Sequence, residues 1–161
     1  MKPCIVDLSE AIKNIYDTFF DVLQTKHLTF KNLIGENFLV KIDQKALHQI
    51  LSNLIDNSIK YTPPGGSIII SAQKENNFCR VFVTDTGSGI PEKDLNRVFE
   101  RFYQVDKPSA KKLGGTGLGL AIVKHLIQAH GGVVAVKNNP SGGAEFSFTL
   151  PRPPLASTPS T

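Results

Sequence analysis

The stretch that most constrains this chain is Lys45 to Thr62, KALHQILSNLIDNSIKYT. Set on a helix, Leu47, Ile50, Leu51, Leu54, Ile55 and Ser58 gather on one stripe, with the i, i+3, i+4, i+7 spacing of a helix buried along one side. Such a helix needs a core supplied by other elements. Asn53, Asn57 and Lys60 then share one flank of it. Asn is a poor helix former that usually serves caps and turns, so two amides one turn apart beside an apolar stripe are an unusual use of helix surface. One reading is a solvated face. The other gives Asn57 to a hard cation and Lys60 to the anion that accompanies it, since Mg²⁺ is commonly held by one or two protein oxygens together with phosphates and water.

Before this helix, Cys4 to Asp7 reads as a strand, and Ser9 as the cap of a helix from Glu10 to about Lys26 with Ile12, Ile15, Phe19 and Leu23 on its apolar face. His27 to Leu33 and Phe38 to Ile42 read as a β-hairpin through Gly35, and Asp43 as the N-cap of the central helix. After it, Pro63-Pro64-Gly65-Gly66 makes a turn. Ser67 to Lys74 and Phe78 to Asp85 form a hairpin across Asn76-Asn77.

Asp85-Thr86-Gly87-Ser88-Gly89-Ile90 puts a carboxylate at the tip of an apolar strand, followed by two glycines that permit close approach. It reads either as a plain strand-ending turn or as a grip on a flat polar ligand edge, with Asp85 accepting from an exocyclic amine and Ile90 against the ring. Pro91 opens a short helix, Glu92 to about Val98. Phe99-Glu100-Arg101-Phe102-Tyr103 and the polar run Gln104 to Lys112 follow, a length without periodicity that suits a lid or binding loop. Gly114-Gly115-Thr116-Gly117-Leu118-Gly119-Leu120 then leads into a helix from Leu118 to about His130. Glycine-rich backbone at a helix N-terminus suits an anion. It is neither a Walker A loop nor a Rossmann turn. Val133 to Asn138 and Ala144 to Leu150 close the chain as a hairpin.

At 161 residues this is one domain. A net charge of +4, spread along the chain, does not call for nucleic acid. Cys4 and Cys79 lack metal spacing, and no apolar run approaches the roughly 20 residues of a membrane span. A cytoplasmic module without direct membrane contact is expected, ending in a disordered Pro/Ser/Thr tail over 152–161.

In this order the Asn helix, DTGSGI, FERFY and GGTGLGL closely resemble the N, G1, F and G2 boxes of the catalytic and ATP-binding domain of sensor histidine kinases. That domain belongs to the GHKL superfamily with gyrase B, Hsp90 and MutL. The resemblance runs from about Val6 to Pro151 and implies an α/β two-layer sandwich: a mixed, mostly antiparallel sheet of about five strands under three helices, with a lid over about 91–115. It implies ATP and Mg²⁺ as cofactors. Asn57 would be the Mg²⁺ ligand, with Asn53 near the phosphates, Lys60 on phosphate and Tyr61 against the nucleotide. Asp85 would read the adenine amine, Gly87 and Gly89 would leave room for the base beside Ile90, and Phe99 and Phe102 would hold the lid. Arg101 is the candidate for the γ-phosphate; Gly115, Thr116, Gly117, Leu118 and Gly119 would close over the phosphates.

Hydrolytic members of the superfamily carry a Glu one turn before the metal Asn; here Asn53 stands there and cannot act as a base. The expected chemistry is therefore transfer of the γ-phosphoryl group to a histidine on a separate dimerisation domain, with a response regulator downstream. None of His27, His48, His125 or His130 sits in a phosphoacceptor context. The isolated domain is expected to be monomeric and to bind ATP and ADP. The alternatives are a nucleotide-binding regulatory module without phosphotransfer, and a GHKL-type ATPase.

Overall fold

Alternation sets the main sheet. From Phe78 to Asp85, Cys79, Val81, Val83 and Asp85 are buried while the residues between them are not, the period-two pattern of a strand with one face on a core. The computed structural model describes residues 1–103 and 118–154. In chain order its elements are β1 (Pro3–Asp7), α1 (Leu8–Thr25), β2 (Thr29–Asn32), β3 (Leu39–Asp43), α2 (Gln44–Tyr61), β4 (Ser67–Glu75), β5 (Phe78–Asp85), a 3-10 turn (Glu92–Asp94), α3 (Gly119–Ala129), β6 (Val134–Asn138) and β7 (Ala144–Pro151). Five strands form one sheet in the order β2-β4-β5-β7-β6, while β1 and β3 pair separately. Among the described residues β2 and β4 run parallel, and the other strand pairs are antiparallel.

Register carries the core across the sheet. Ile70 lies opposite Val83, Val83 opposite Phe146, and Phe146 opposite Val136. In one core with this row lie Leu8, Ile12 and Ile15 of α1, Leu47, Leu51, Leu54 and Ile55 of α2, and Val123 and Ile127 of α3. Each fully buried Leu or Ile contributes about 1.5–3 kcal/mol. The two Asn of α2 cost about 0.7 kcal/mol each in helix propensity, so packing decides that α2 is a helix through Tyr61.

Four expectations change. His27–Leu33 and Phe38–Ile42 do not form a hairpin: β2 pairs in parallel with β4, and β3 pairs with β1. The cap of α1 is Asp7, whose carboxylate accepts from the Ser9 amide at 3.0 Å, because the Ser9 hydroxyl donates instead to the Ile34 carbonyl. The helix after Pro91 is one 3-10 turn followed by further turns to Phe99; there the buried Asp94 accepts from the Tyr103 hydroxyl. Arg152, placed by sequence in the tail, is fastened to the β4–β5 turn: its amide donates to the Asn77 carbonyl and its guanidinium to that of Asn76. The α2 cap holds as expected, with the Asp43 carboxylate accepting from the Ala46 amide at 2.9 Å.

Candidate functional site

The site begins where β5 ends against the last turn of α2. Directly after Asp85 the chain passes so close to α2 that a Cβ on Gly87 would overlap the Tyr61 carbonyl oxygen. Thr86 ties this crossing to the start of β4: its hydroxyl accepts from the Ser67 amide at 2.9 Å, and its own amide donates to the Ser67 carbonyl. The close approach that Gly87 permits is thus to backbone. Gly89 is required by its φ of +74°, in the left-handed region that side chains disfavour.

Asp85 is 3% exposed at the end of the sheet. One of its oxygens, Oδ1, accepts from the Gly87 amide at 2.9 Å and from the Ala144 amide at 3.2 Å. No hydrogen bond engages Oδ2 among the described residues. Burial pushes this carboxyl above the ordinary Asp value, opposed by the two amides. The result is a rigidly held acceptor in low dielectric, suited to one good donor.

Sequence alone singles out neither Ala144, nor Gly143, nor Asn138, which complete this end. A Cβ on Gly143, at φ +87°, would overlap the Asp85 carbonyl oxygen. The Asn138 carboxamide accepts from the Ile90 amide at 2.8 Å and donates to the Ile90 carbonyl at 2.6 Å. In the sequence, Pro140-Ser141-Gly142-Gly143 signals the turn of a hairpin rather than a partner for Asp85. Gly143→Ala is expected to lower stability by about 2 kcal/mol, through left-handed strain and collision with backbone. Thermal or urea unfolding checks it; a variant as stable as the parent contradicts the packing.

The flank of α2 meets α3. A Cβ on Gly119 would sit 3.7 Å from Asn53 Oδ1, so the first turn of α3 lies against that amide. Asn53 Nδ2 is buried without a hydrogen-bond partner among the described residues, a costly arrangement that a ligand acceptor would relieve. No described side chain caps the start of α3, and the helix's positive dipole end lies at Gly119, against Asn53. Asn57 is half-buried, and no described hydrogen bond occupies its side chain. Among the described residues no cluster of three or more His, Cys, Asp or Glu could hold a metal. A cation here depends on the Asn57 oxygen plus oxygens of a ligand, a donor set that fits Mg²⁺.

Lys60 pairs with Asp56 at 3.0 Å on the same helix. Lys26 donates to the carbonyls of Ile59 and Lys60 and so caps the end of α2. Burial raises the Tyr61 phenol above its ordinary value, with the Lys60 charge opposing. Phe99, within the expected lid, stands edge-on to Phe146 with centroids 5.9 Å apart. Phe102 is 67% exposed at φ +65°, with the Arg101 guanidinium 5.8 Å from its ring centroid. Leu118 and Gly119 lie at the start of α3; Gly115, Thr116 and Gly117, with Gln104 to Lys112, lie outside the described residues.

The profile of the family described as histidine kinase-, DNA gyrase B-, and HSP90-like ATPase matches residues 42–154. The sensor histidine kinase WalK of Bacillus subtilis is 44% identical over 135 residues, 82% of this chain and 22% of that protein. The chain thus spans less than a quarter of that relative's length. The catalytic domain of histidine kinase ThkA superposes with a TM-score of 0.84 at 30% identity, covering 94% of this chain and 97% of that one. Full-length ShkA in complex with AMPPNP superposes at 0.81, with 28% identity, over 95% of this chain and 32% of that one. With the Asn flank, the buried carboxylate at the end of β5 and the glycine-led α3 assembled around one face, this chain belongs to the family of histidine kinase-, DNA gyrase B- and HSP90-like ATPases.

Proposed function

We propose that this chain is the ATP-binding catalytic domain of a sensor histidine kinase, a single domain over 1–151 with a lid over about 91–115. It passes the ATP γ-phosphoryl group to a histidine on a separate dimerisation domain of its parent protein. The observation that carries this reading is Asp85: buried, held by two backbone amides on one oxygen, with the other oxygen available to the exocyclic amine of adenine. ShkA, with a similar fold, was determined with the ATP analogue AMPPNP.

In this reading Ile90 lies against the base, beside Gly87 and Gly89, and Tyr61 borders the nucleotide. Asn53 donates its unpartnered Nδ2 to phosphate, helped by Lys60 and the amides at the start of α3. Asn57 holds Mg²⁺, which when bound neutralises phosphate charge. Gly115, Thr116, Gly117, Leu118 and Gly119 close over the phosphates, Phe99 and Phe102 support the lid, and Arg101 reaches the γ-phosphate. In the transfer, a ring nitrogen of the acceptor histidine forms a bond to the γ-phosphorus as the bond to the bridging oxygen breaks, and ADP leaves with that electron pair. The domain contributes orientation and charge stabilisation. Asp56 is the nearest carboxylate in sequence to the Asn pair, but its pairing with Lys60 leaves it poorly suited to activate water, which favours transfer over hydrolysis.

The downstream partner is a response regulator; ThkA is known in complex with the response regulator protein TrrA. A cytoplasmic location belongs to the same proposal, and no described helix is long and apolar enough to cross a membrane. The test is incubation with γ-labelled ATP, alone and with the dimerisation domain of the parent kinase. The expected product is acid-labile, base-stable phosphate on the added domain and none on this chain. Rapid phosphate release by the chain alone, or nucleotide binding without transfer, contradicts it.

A further inference from the structure

We propose that Asn138 is a positioning residue for base recognition, gripping Ile90 by both backbone polar groups while its cross-strand partner Ala144 holds Asp85. Asn138 and Ala144 lie opposite each other as the last pair of the β6–β7 ladder. Asn138 accepts from the Ile90 amide at 2.8 Å and donates to the Ile90 carbonyl at 2.6 Å, while the Ala144 amide donates to Asp85 Oδ1 at 3.2 Å. One hairpin end therefore fixes both ends of the segment 85–90. Gly89 fits between them: a Cβ there would lie 2.9 Å from the Asn138 oxygen.

Asn138 is exposed and ends an edge strand. Solvent-exposed bonds of this kind add little to global stability, because water competes for both groups. Their effect is local: the carboxamide copies the donor and acceptor of a strand neighbour and removes the freedom of Ile90 relative to Asp85. A base held between the Ile90 side chain and Asp85 Oδ2 benefits from that fixed spacing, whereas phosphates held at the α2 flank do not. This inference rests on the nucleotide-binding reading of the site.

The carboxamide allows a chemical test. In Asn138→Asp one oxygen still accepts from the Ile90 amide, but the other replaces the donor and faces the Ile90 carbonyl, acceptor against acceptor. The experiment is calorimetric titration of wild type and Asn138→Asp with non-hydrolysable ATP and GTP analogues plus Mg²⁺ at about pH 7.5, where the new carboxyl is ionised, with the unfolding midpoint of each ligand-free protein. The variant is expected to bind the ATP analogue roughly tenfold more weakly than wild type, with a smaller change for the GTP analogue and a nearly unchanged midpoint. Equal binding by both proteins overturns the inference and leaves the nucleotide reading standing. Equal losses for both analogues, accompanied by a lowered midpoint, overturn it in favour of a purely structural role. Wild type that binds neither analogue overturns the nucleotide reading and this inference with it.

Discussion

Replacing Asp85 by Asn is expected to weaken adenine nucleotide binding by about 10- to 100-fold, the scale of losing one charge-assisted hydrogen bond in a buried site. The folded domain should be no less stable for it. The Asn oxygen can take over from Oδ1 and still accept from Gly87 and Ala144. Its NH₂ group then lies where Oδ2 was, so a donor faces the donor of the adenine amine. Burial raises the Asp85 carboxyl, so the folded protein holds this proton more tightly than the unfolded chain does. Stability from this group is therefore greatest below the ordinary Asp value and falls as pH rises through the raised one. A neutral Asn carries no such cost. Nucleotide affinity moves the other way, because it requires the anion, and is lost as pH falls through the raised value. Calorimetry with ATP and GTP analogues, paired with thermal unfolding, checks both signs. Comparable losses for the two analogues, or a marked drop in the unfolding midpoint, would count against Asp85 as the reader of the base.

Asn57→Ala is expected to remove Mg²⁺-dependent nucleotide binding and phosphotransfer by more than roughly 100-fold, since losing even an outer partner of a metal ligand commonly costs 10–100-fold. No described hydrogen bond occupies the Asn57 side chain, and Ala is the better helix former by about 0.7 kcal/mol. The unfolding midpoint should hold or rise slightly. Asn53→Ala should act differently. It removes the unpartnered Nδ2 beside α3, weakening the phosphate grip while the remaining affinity stays sensitive to Mg²⁺. Titrations with Mg²⁺ and with chelator separate the two; identical behaviour of the variants would contradict the division of roles.

Much of the architecture was legible because periodicity reports which side of an element is buried. Leu47, Ile50, Leu51, Leu54 and Ile55 marked α2, and the hairpin across Asn76-Asn77 marked β5 from Phe78 to Asp85, in the places the structure shows. Periodicity does not report partners. Phe30 and Val40 sit on strands that looked like a hairpin, yet β2 joins β4 and β3 joins β1, because pairing is decided by long-range registry. The α1 cap was misplaced by two residues, since Asp7 and Ser9 are both good cap residues and only the contact of the Ser9 hydroxyl with Ile34 decides between them. The carboxylate and the amides of the site were visible as residue types unusual for their positions. The hairpin end that supports them was not. Asn138, Gly143 and Ala144 lie more than fifty residues from Asp85 in sequence and act through a backbone amide, a bare Cα and one carboxamide, none of which leaves a motif.

The most direct test of the central claim is calorimetric titration of the wild-type domain with a non-hydrolysable ATP analogue, with Mg²⁺ and with a chelator in its place. The account predicts saturable binding that strengthens with Mg²⁺, an increment that Asn57→Ala abolishes. A well-folded wild-type domain that gives no binding heat, or that binds equally well without the ion, would contradict it.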